Sequence, residues 1–231
     1  MKKRLILFAF AFSVLCATAQ QTQVPAIKPR SVVPMPKISV AEWNELCDKF
    51  DVDEGEYDEK KFGDLTVYTD FYSSNCSWYC AGDVKKITAS SCLPPYKSFT
   101  YNPANAHDFN HESVWATKGK GVGEYLLYTF EGRNPRITTV KILNGHVKSE
   151  AAWRANSRVK KMRIWFNENP YLILELEDSR TLQIFDVGTL GYNDTTKPDW
   201  TLKFEIIEVY PGAKFDDTVI AELYFDGIDV H

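Results

Sequence analysis

The sequence predicts an all-β protein of the sandwich or jelly-roll type, and three observations lead to that prediction. Apolar and polar residues alternate over many short stretches, as in strands with one buried face. Glycine, proline, asparagine and aspartate separate these stretches. Long helical patterns do not intervene, and no repeat of fixed period is present, which disfavours propellers and solenoids.

The first nineteen residues are typical of a secretory signal peptide. Three basic residues at positions 2–4 precede an apolar run over 5–14, and Ala-Thr-Ala at 17–19 predicts cleavage before Gln20. The fifteen residues from 5 to 19 are fewer than the roughly 20 that cross a bilayer, so no integral membrane span is expected. The protein is therefore expected to be exported, to the periplasm or the cell exterior.

Five cysteines are present, and the first, Cys16, lies in the signal peptide. Lipid attachment at Cys16 is an open alternative, against which the bulky Leu15 argues. The other four are an even number in an oxidising compartment and predict two structural disulfides, with three pairings possible. Their spacing fits neither redox nor zinc motifs. These four are Cys47, Cys76, Cys80 and Cys92.

The charge balance is acidic and argues against two classes of partner. The chain has 27 Lys and Arg against 31 Asp and Glu, a net charge of −4. Without the three basic residues of the leader, 24 basic side chains would face 31 acidic ones. Nucleic acid and anionic membrane surfaces are therefore not expected as partners.

The segment after the leader is predicted to be extended and then helical. Residues 20–38 contain four prolines and read as a mobile linker. Ser39 and Glu42 form a capping box, and apolar residues at helical spacing extend a short amphipathic helix to about Phe50. The acidic segment 51–59 ends that helix.

At least seven strands are predicted after this segment. Alternation is clearest at residues 162–166, 172–176 and 202–206. Further runs bounded by turn residues lie at 123–131, 137–143, 181–187 and 218–225.

Catalytic motifs are not evident in the sequence. There is no G-x-S-x-G elbow, no H-E-x-x-H and no Walker loop, and the chain has four histidines. An enzyme would require Asp108, Glu112 or Glu124 to converge with a histidine in one cleft. The sequence therefore favours a protein that is not an enzyme.

A more specific signal lies at residues 106–115. They follow the A-x-D-G-[DN]-x-x-[TS]-x-W pattern of discoidin-like galactose-binding domains, with Phe109 in place of the glycine. Together with later segments, this stretch resembles the NADase-type glycan-binding domain, the translocation module of NAD glycohydrolases that is common in exported bacterial proteins. The later segments are 121–124, 144–149, 156–160, 209–212, Asp217-Thr218 and Glu222.

The resemblance covers residues 76–231 and implies a discoidin-like, galactose-binding-like jelly-roll β-sandwich that binds carbohydrate. It implies no NAD hydrolysis, because it concerns the binding module and not the hydrolase. The predicted organisation is a signal peptide at 1–19, a Pro-rich linker at 20–38, an N-terminal segment with a short helix at 39–75, and the discoidin-like domain at 76–231.

The same resemblance implies a structural Ca²⁺ site. Asp108 and Ser113 match the loop ligands and Glu222 matches the ligand near the C-terminus, all with the hard oxygens that calcium prefers. Because Phe109 replaces the glycine of the tight turn, a simple hydrogen-bonded corner is the alternative. Trp115 matches a tryptophan that packs in the core.

The residue types that bind sugars occur together at 144–158. A sugar needs an aromatic platform beside polar groups, because it has an apolar ring face and a fringe of hydroxyls. Trp153 is the predicted platform, in a loop between two strands. The alternative is that Trp153 packs the loop and that the asparagines fix turns. The predicted polar partners are Asn144, Lys148, Arg154, Asn156 and Arg158.

These inferences predict an exported, non-catalytic protein that recognises a glycan or glycoprotein through loops at one edge of a sandwich. A protein-interaction or adhesion module of the same fold is the main alternative. The two differ in contact area, because a protein partner needs about 800 Å² per side whereas a sugar needs a small pocket.

Overall fold

The computed structural model describes residues 23–49, 58–63, 67, 71 and 78–229. The predicted signal peptide and Cys76 lie outside the described residues, as does the side chain of Cys47. None of the helices in the described ranges is long and apolar enough to span a membrane.

The described ranges contain eleven strands, three α-helices and two short 3₁₀-helices. The 3₁₀-helices are Trp78–Cys80 and Pro103–His107. The α-helices are α1 (Val40–Lys49), α2 (Glu59–Phe62) and α3 (Glu150–Ala155). The strands are β1 (Ala26–Ile27), β2 (Ser31–Pro34), β3 (Lys86–Ala89), β4 (Trp115–Ala116), β5 (Tyr125–Phe130), β6 (Ile137–Asn144), β7 (Ser157–Phe166), β8 (Asn169–Glu175), β9 (Thr181–Leu190), β10 (Trp200–Tyr210) and β11 (Thr218–Gly227).

The strands form two layers, and strand β11 of the first layer connects it to the second. One layer has the order β2-β9-β6-β11, with β4 also paired to β11, and the other has the order β3-β5-β10-β7-β8-β1. The first residues of β11 pair in parallel with β7, where Thr218 lies opposite Ser157. This pairing joins the layers into one hydrogen-bonded system, and the prediction of an all-β sandwich is confirmed.

The main core lies between the two layers and follows from the alternation in the sequence. Buried and partly exposed residues alternate along β5 and over the first seven residues of β10, as predicted. Across the interface, the ring of Phe225 lies 5.1 Å from that of Tyr128 and 6.2 Å from that of Phe204. Trp115 is fully buried in this core, which confirms its predicted structural role.

A second apolar cluster covers the outer face of the β2-β9-β6-β11 layer. Leu182 and Tyr224 contribute from the sheet, and Phe71 contributes from the N-terminal segment. The Tyr224 hydroxyl donates a hydrogen bond to the Phe71 carbonyl at 3.5 Å. In α1 the predicted capping box forms, with the Glu42 N–H donating to Ser39 Oγ at 3.2 Å.

The segment predicted as a mobile linker is paired with the sandwich. Strand β1 pairs in parallel with β8, and β2 pairs antiparallel with β9, so residues 26–34 run along the edges of both layers. The prolines at 25 and 29 flank these strands and Pro34 ends β2. Edge strands tolerate proline because one side of the strand makes no ladder hydrogen bonds.

Candidate functional site

A sharp turn follows the second 3₁₀-helix and holds Asp108. One Asp108 carboxylate oxygen accepts a hydrogen bond from the Asn110 N–H at 3.0 Å, and the other accepts from Ser113 Oγ at 2.6 Å. Phe109 adopts a left-handed conformation with φ of 58°. Phenylalanine therefore takes the backbone conformation that favours glycine, at a cost of about 1–2 kcal/mol, and the turn is retained.

Glu222 on β11 faces this turn from the core side. Its side chain is buried, and neither carboxylate oxygen has a hydrogen-bond partner among the described residues. Burial raises the pKa of Glu222 well above its usual range, and the neighbouring Asp108 carboxylate raises it further. The backbone N–H groups of Phe109 and Asn110 lower this pKa through proximity, although neither forms a hydrogen bond with Glu222. A buried carboxylate without a donor, next to a second carboxylate, fits the charge and the oxygen preference of a Ca²⁺ ion.

The donors that these residues offer are two carboxylates and a hydroxyl. Within the described ranges, no group of three or more His, Cys, Asp and Glu comes together as a metal site. A cation at this corner would therefore be held by Asp108, Glu222 and Ser113, and its remaining ligands would be carbonyl or water oxygens.

Two of the predicted sugar-binding residues join β6 to α3 and β7. The Asn144 side chain is fully buried, and its amide exchanges two hydrogen bonds with the backbone of Val159, at 2.7 and 2.9 Å. The Trp153 side chain is 4% exposed and donates its indole N–H to the Asn144 carbonyl at 2.9 Å. The indole ring is therefore part of the packed structure in this conformation, and it is not open to solvent as a platform.

Arg158 packs against the indole of Trp153. Its guanidinium carbon lies 4.5 Å from the ring centroid, and two of its nitrogens bind the Asp178 carboxylate at 2.9 and 3.0 Å. A third nitrogen donates to the Asn156 carbonyl at 2.9 Å. Only 8% of the Arg158 side chain is exposed, so its donors are used within the fold.

The predicted loop at 144–158 contains the helix α3. Ser149 caps the helix, because its hydroxyl accepts a hydrogen bond from the Ala152 N–H at 3.1 Å. At the other end, the Asn156 amide donates to the Ala152 carbonyl at 2.8 Å. Arg154 forms an exposed ion pair with Glu150 at 2.7 Å, one turn earlier.

A cleft of about 550 Å³ opens beside the Asp108 turn. One wall carries Tyr96 and Phe99, whose side chains are 62% and 53% exposed. These two residues form a tight hairpin in which their backbones exchange two hydrogen bonds of 3.0 Å. On the polar side, Lys148 pairs with Glu112 at 3.0 Å, and both side chains are about half exposed. The rest of the lining is Ser98, Thr100, Tyr101, Asn105, Asp108, Asn110, Ser113, Val114 and His146. We call this space the polar compartment.

A second space of about 740 Å³ adjoins the first, and we call it the apolar compartment. His146, which lines both spaces, is partly buried. Burial lowers its pKa, and Lys148 lowers it further, while Asp217 acts in the opposite direction. His146 is therefore neutral at pH 7 and offers one donor and one acceptor. Tyr96, Tyr101 and Val114 also line both compartments.

Comparison with known sequences gives the family. The profile of the NAD glycohydrolase translocation F5/8 type C domain matches residues 78–226. The chain belongs to this family. The resemblance inferred from residues 106–115 is confirmed, and so is the discoidin-like fold. No curated protein sequence matches the chain.

Several solved structures resemble this F5/8 type C domain in fold. A CBM32 module of a Clostridium perfringens protein, in complex with GalNAc-β-1,3-galactose, is 16% identical, with 62% of this chain and 94% of that chain covered and a TM-score of 0.45. CBM32-3 from a family 31 glycoside hydrolase of the same organism is also 16% identical, with 64% and 92% covered and a TM-score of 0.43. Chitosan-binding module 2 from Paenibacillus sp. IK-5, in complex with chitotriose, is 11% identical, with 64% and 99% covered and a TM-score of 0.41.

The structure separates the predicted sugar-binding residues of this F5/8 type C domain into two groups. Two of them line the cleft formed by both compartments: Lys148 lines the polar compartment, and Asn156 lines the apolar one. The other four do not line it: Arg154 is exposed on α3, and the remaining three make the buried contacts described above. The three predicted metal ligands do meet at one corner of the F5/8 type C domain, next to the polar compartment.

Several cleft residues of the F5/8 type C domain were not predicted. Tyr96, Phe99 and Tyr101 come from one short segment, and Phe215 comes from the loop before β11. Three aromatic residues within six positions, bounded by prolines at 95 and 103 and without strand alternation, were the available signal. Exposed aromatic residues in a loop of this kind indicate a binding surface.

The predicted disulfides remain a prediction. Cys80 and Cys92 are both exposed, and they are not bonded to each other.

Proposed function

We propose that the protein is an exported, non-catalytic carbohydrate-binding protein and that a glycan binds in the polar compartment. The observation that carries this proposal is the pair of exposed aromatic side chains, Tyr96 and Phe99, facing the polar groups of Lys148 and Glu112. A sugar has the complementary surface, with an apolar ring face and a rim of hydroxyls.

Each wall has a defined role in this proposal. The Tyr96–Phe99 hairpin is held by two backbone hydrogen bonds and presents an aromatic surface to the ring face of the sugar. Lys148 donates to hydroxyl oxygens and Glu112 accepts from hydroxyl protons. Because this ion pair is exposed, opening it for a ligand costs little. Neutral His146 supplies one further donor or acceptor where the two compartments meet.

Three observations support the non-catalytic and exported parts of the proposal. The family is that of a translocation-associated F5/8 type C domain. The Asp108 carboxylate of the polar compartment is engaged by two hydrogen bonds, from the Asn110 N–H and from Ser113 Oγ. The leader at residues 1–19 is typical of a signal peptide.

We also propose that Ca²⁺ binds at the corner formed by Asp108, Ser113 and Glu222. Asp108 and Ser113 line the polar compartment, whereas Glu222 approaches the same turn from the core. Calcium would supply positive charge to two neighbouring carboxylates. The turn that forms one wall of the glycan site would thereby be stabilised.

The glycan proposal is tested by a glycan-array screen of residues 20–231, once with calcium and once with chelator. Selective binding is expected for the parent protein, with a loss of at least about ten-fold in Tyr96→Ala and Phe99→Ala. Val122→Ala is the matched control, because Val122 is 59% exposed and lies outside both compartments. The proposal would be contradicted if a folded, calcium-loaded sample bound no glycan on the array. A protein partner would then be sought by pull-down.

The calcium proposal has a separate test in thermal unfolding. At a calcium concentration about 100 times Kd, binding stabilises the folded state by about 2.7 kcal/mol. For a domain of this size, that corresponds to a rise in Tm of about 5–11 °C. Glu222→Gln should lose the rise, whereas Glu175→Gln should keep it, because Glu175 lies on β8, pairs with Lys161 and is not part of the Asp108 corner. The proposal is wrong if millimolar calcium leaves the Tm of the parent protein unchanged.

A further inference from the structure

The apolar compartment differs in character from the polar one. Its walls come from the loop at 93–96, from α3 and from the loop before β11, and they are mostly apolar. Among the lining residues not shared with the polar compartment, Leu93, Pro94, Pro95 and Phe215 are apolar, and Asn156 and Asp217 are the polar ones. The hydroxyls of a sugar would find few hydrogen-bond partners on this mostly apolar surface.

The compartment is preformed by backbone contacts. The N–H groups of Phe215 and Lys214 donate to the Ala155 carbonyl at 2.8 and 3.0 Å, which fixes the loop before β11 against α3. Pro94 and Pro95 restrict the opposite wall, because proline fixes the backbone φ angle. Ligand binding in a preformed site has a small ordering cost.

The open space results from small side chains on α3. Ala152 and Ala155 both line the compartment, and both are partly exposed. Phe215, on the facing loop, is 44% exposed although it is a large apolar residue. The volume of about 740 Å³ exceeds that of the polar compartment, and it is much larger than the volume that a methyl or acetyl group occupies.

We propose that the ligand is a glycoconjugate, with its sugar in the polar compartment and an alkyl or acyl chain joined to that sugar in the apolar compartment. This inference rests on the proposed glycan binding. One ligand can occupy both compartments because they are continuous: Tyr96, Tyr101, Val114 and His146 line both. The class of ligand is therefore a glycolipid-like molecule, and a free sugar occupies only half of the site.

The test compares n-octyl and methyl glycosides of the same sugar by titration calorimetry, below the micellar concentration and with calcium present. Galactose, glucose and N-acetylglucosamine pairs serve as probes, together with any sugar that binds on the array. Each buried methylene strengthens binding about four-fold, so three buried methylenes give a preference for the octyl glycoside of about 60-fold.

Two variants on helix α3 test whether the alkyl chain of the ligand lies in the apolar compartment. Ala152→Leu places three further carbon atoms in the apolar compartment, and leucine retains helix propensity. It should reduce the octyl preference to less than about five-fold and leave methyl glycoside affinity unchanged. Ala151→Leu is the matched control, because Ala151 is exposed on the same helix and lies outside the compartment.

The outcomes separate the two proposals. Equal affinity for methyl and octyl glycosides would overturn the glycolipid inference and leave glycan binding intact. Binding of octanol as strong as that of the octyl glycosides, without binding of any methyl glycoside or array glycan, would overturn both. An octyl preference reduced equally by Ala151→Leu and Ala152→Leu would overturn the assigned location.

Discussion

Arg158 provides the sharpest test of the buried network beneath the cleft. In Arg158→Ala, the Asp178 carboxylate loses two hydrogen bonds of 2.9 and 3.0 Å, and the indole of Trp153 loses the guanidinium that lies 4.5 Å from its centroid. The Asn156 carbonyl loses a donor at 2.9 Å as well. The substitution is therefore expected to destabilise the fold.

The magnitude follows from the contacts and their exposure. Hydrogen bonds to charged groups contribute about 1.5–3 kcal/mol each when buried. Asp178 is 39% exposed, so water replaces part of that loss, and we count the two bonds to its carboxylate at about 2 kcal/mol together. Adding a cation–π contact of about 1 kcal/mol, we expect a loss of about 3 kcal/mol in the free energy of unfolding. This corresponds to a fall in Tm of about 6–12 °C.

Urea unfolding followed by tryptophan fluorescence measures this loss. Arg154→Ala is the matched control, because Arg154 also pairs with a carboxylate and lies near the same indole, but is 69% exposed. It should leave the midpoint almost unchanged. A loss below about 1 kcal/mol in Arg158→Ala would refute the structural role, and Arg158 would again be a candidate for direct sugar contact.

Three further predictions concern the cleft and its support. Gly145 has a φ of 90°, and an added Cβ would lie 2.7 Å from Trp153 Cδ1, so Gly145→Ala should lose about 2–4 kcal/mol of stability in urea unfolding. Gly119→Ala is its control, because φ is 101° there but no atom lies within 4 Å of the added Cβ; a similar loss in both would contradict the steric explanation. The depressed pKa of His146 means that the unfolded chain takes up its proton first as the pH falls below 6.5. The parent protein should therefore lose stability relative to His146→Gln by up to about 1.4 kcal/mol per pH unit, and parallel pH profiles would contradict this. Lys148→Ala removes an exposed ion pair, so Tm should change little while affinity for an array glycan falls about ten-fold; unchanged affinity would remove Lys148 from the site.

Local sequence patterns predicted the fold well, because strand alternation and helix capping are set by residues that are close together in the sequence. Alternation identified the strands, and the Ser39–Glu42 pair identified the start of α1. The family resemblance, and not a local pattern, grouped Asp108, Ser113 and Glu222, and these three residues do meet. The motif tolerated Phe109 because this residue takes the left-handed backbone conformation of the glycine it replaces.

The cleft was harder to predict because its walls are distant in the sequence. Tyr96 and Phe215 line one continuous space only after the sandwich has formed. Trp153 and Arg158 have the residue types of a sugar site, but the same types also suit a buried stack, and burial is a tertiary property. The six-residue helix α3 is too short for periodicity to reveal, although Ser149 was an available cap signal.

The pairing of β1 and β2 with the sandwich edges sets an order of events for a chain that is synthesised from its N-terminus. Arg30 and Asp186, which bond across this edge at 2.8 Å, are 156 positions apart. The first strands to be made must therefore stay unpaired until β8 and β9 have also been made. Contacts of such separation slow folding, and unpaired strands expose edges that attract other chains. Correct folding of this protein thus depends on protection of its earliest segment until most of the chain has been synthesised.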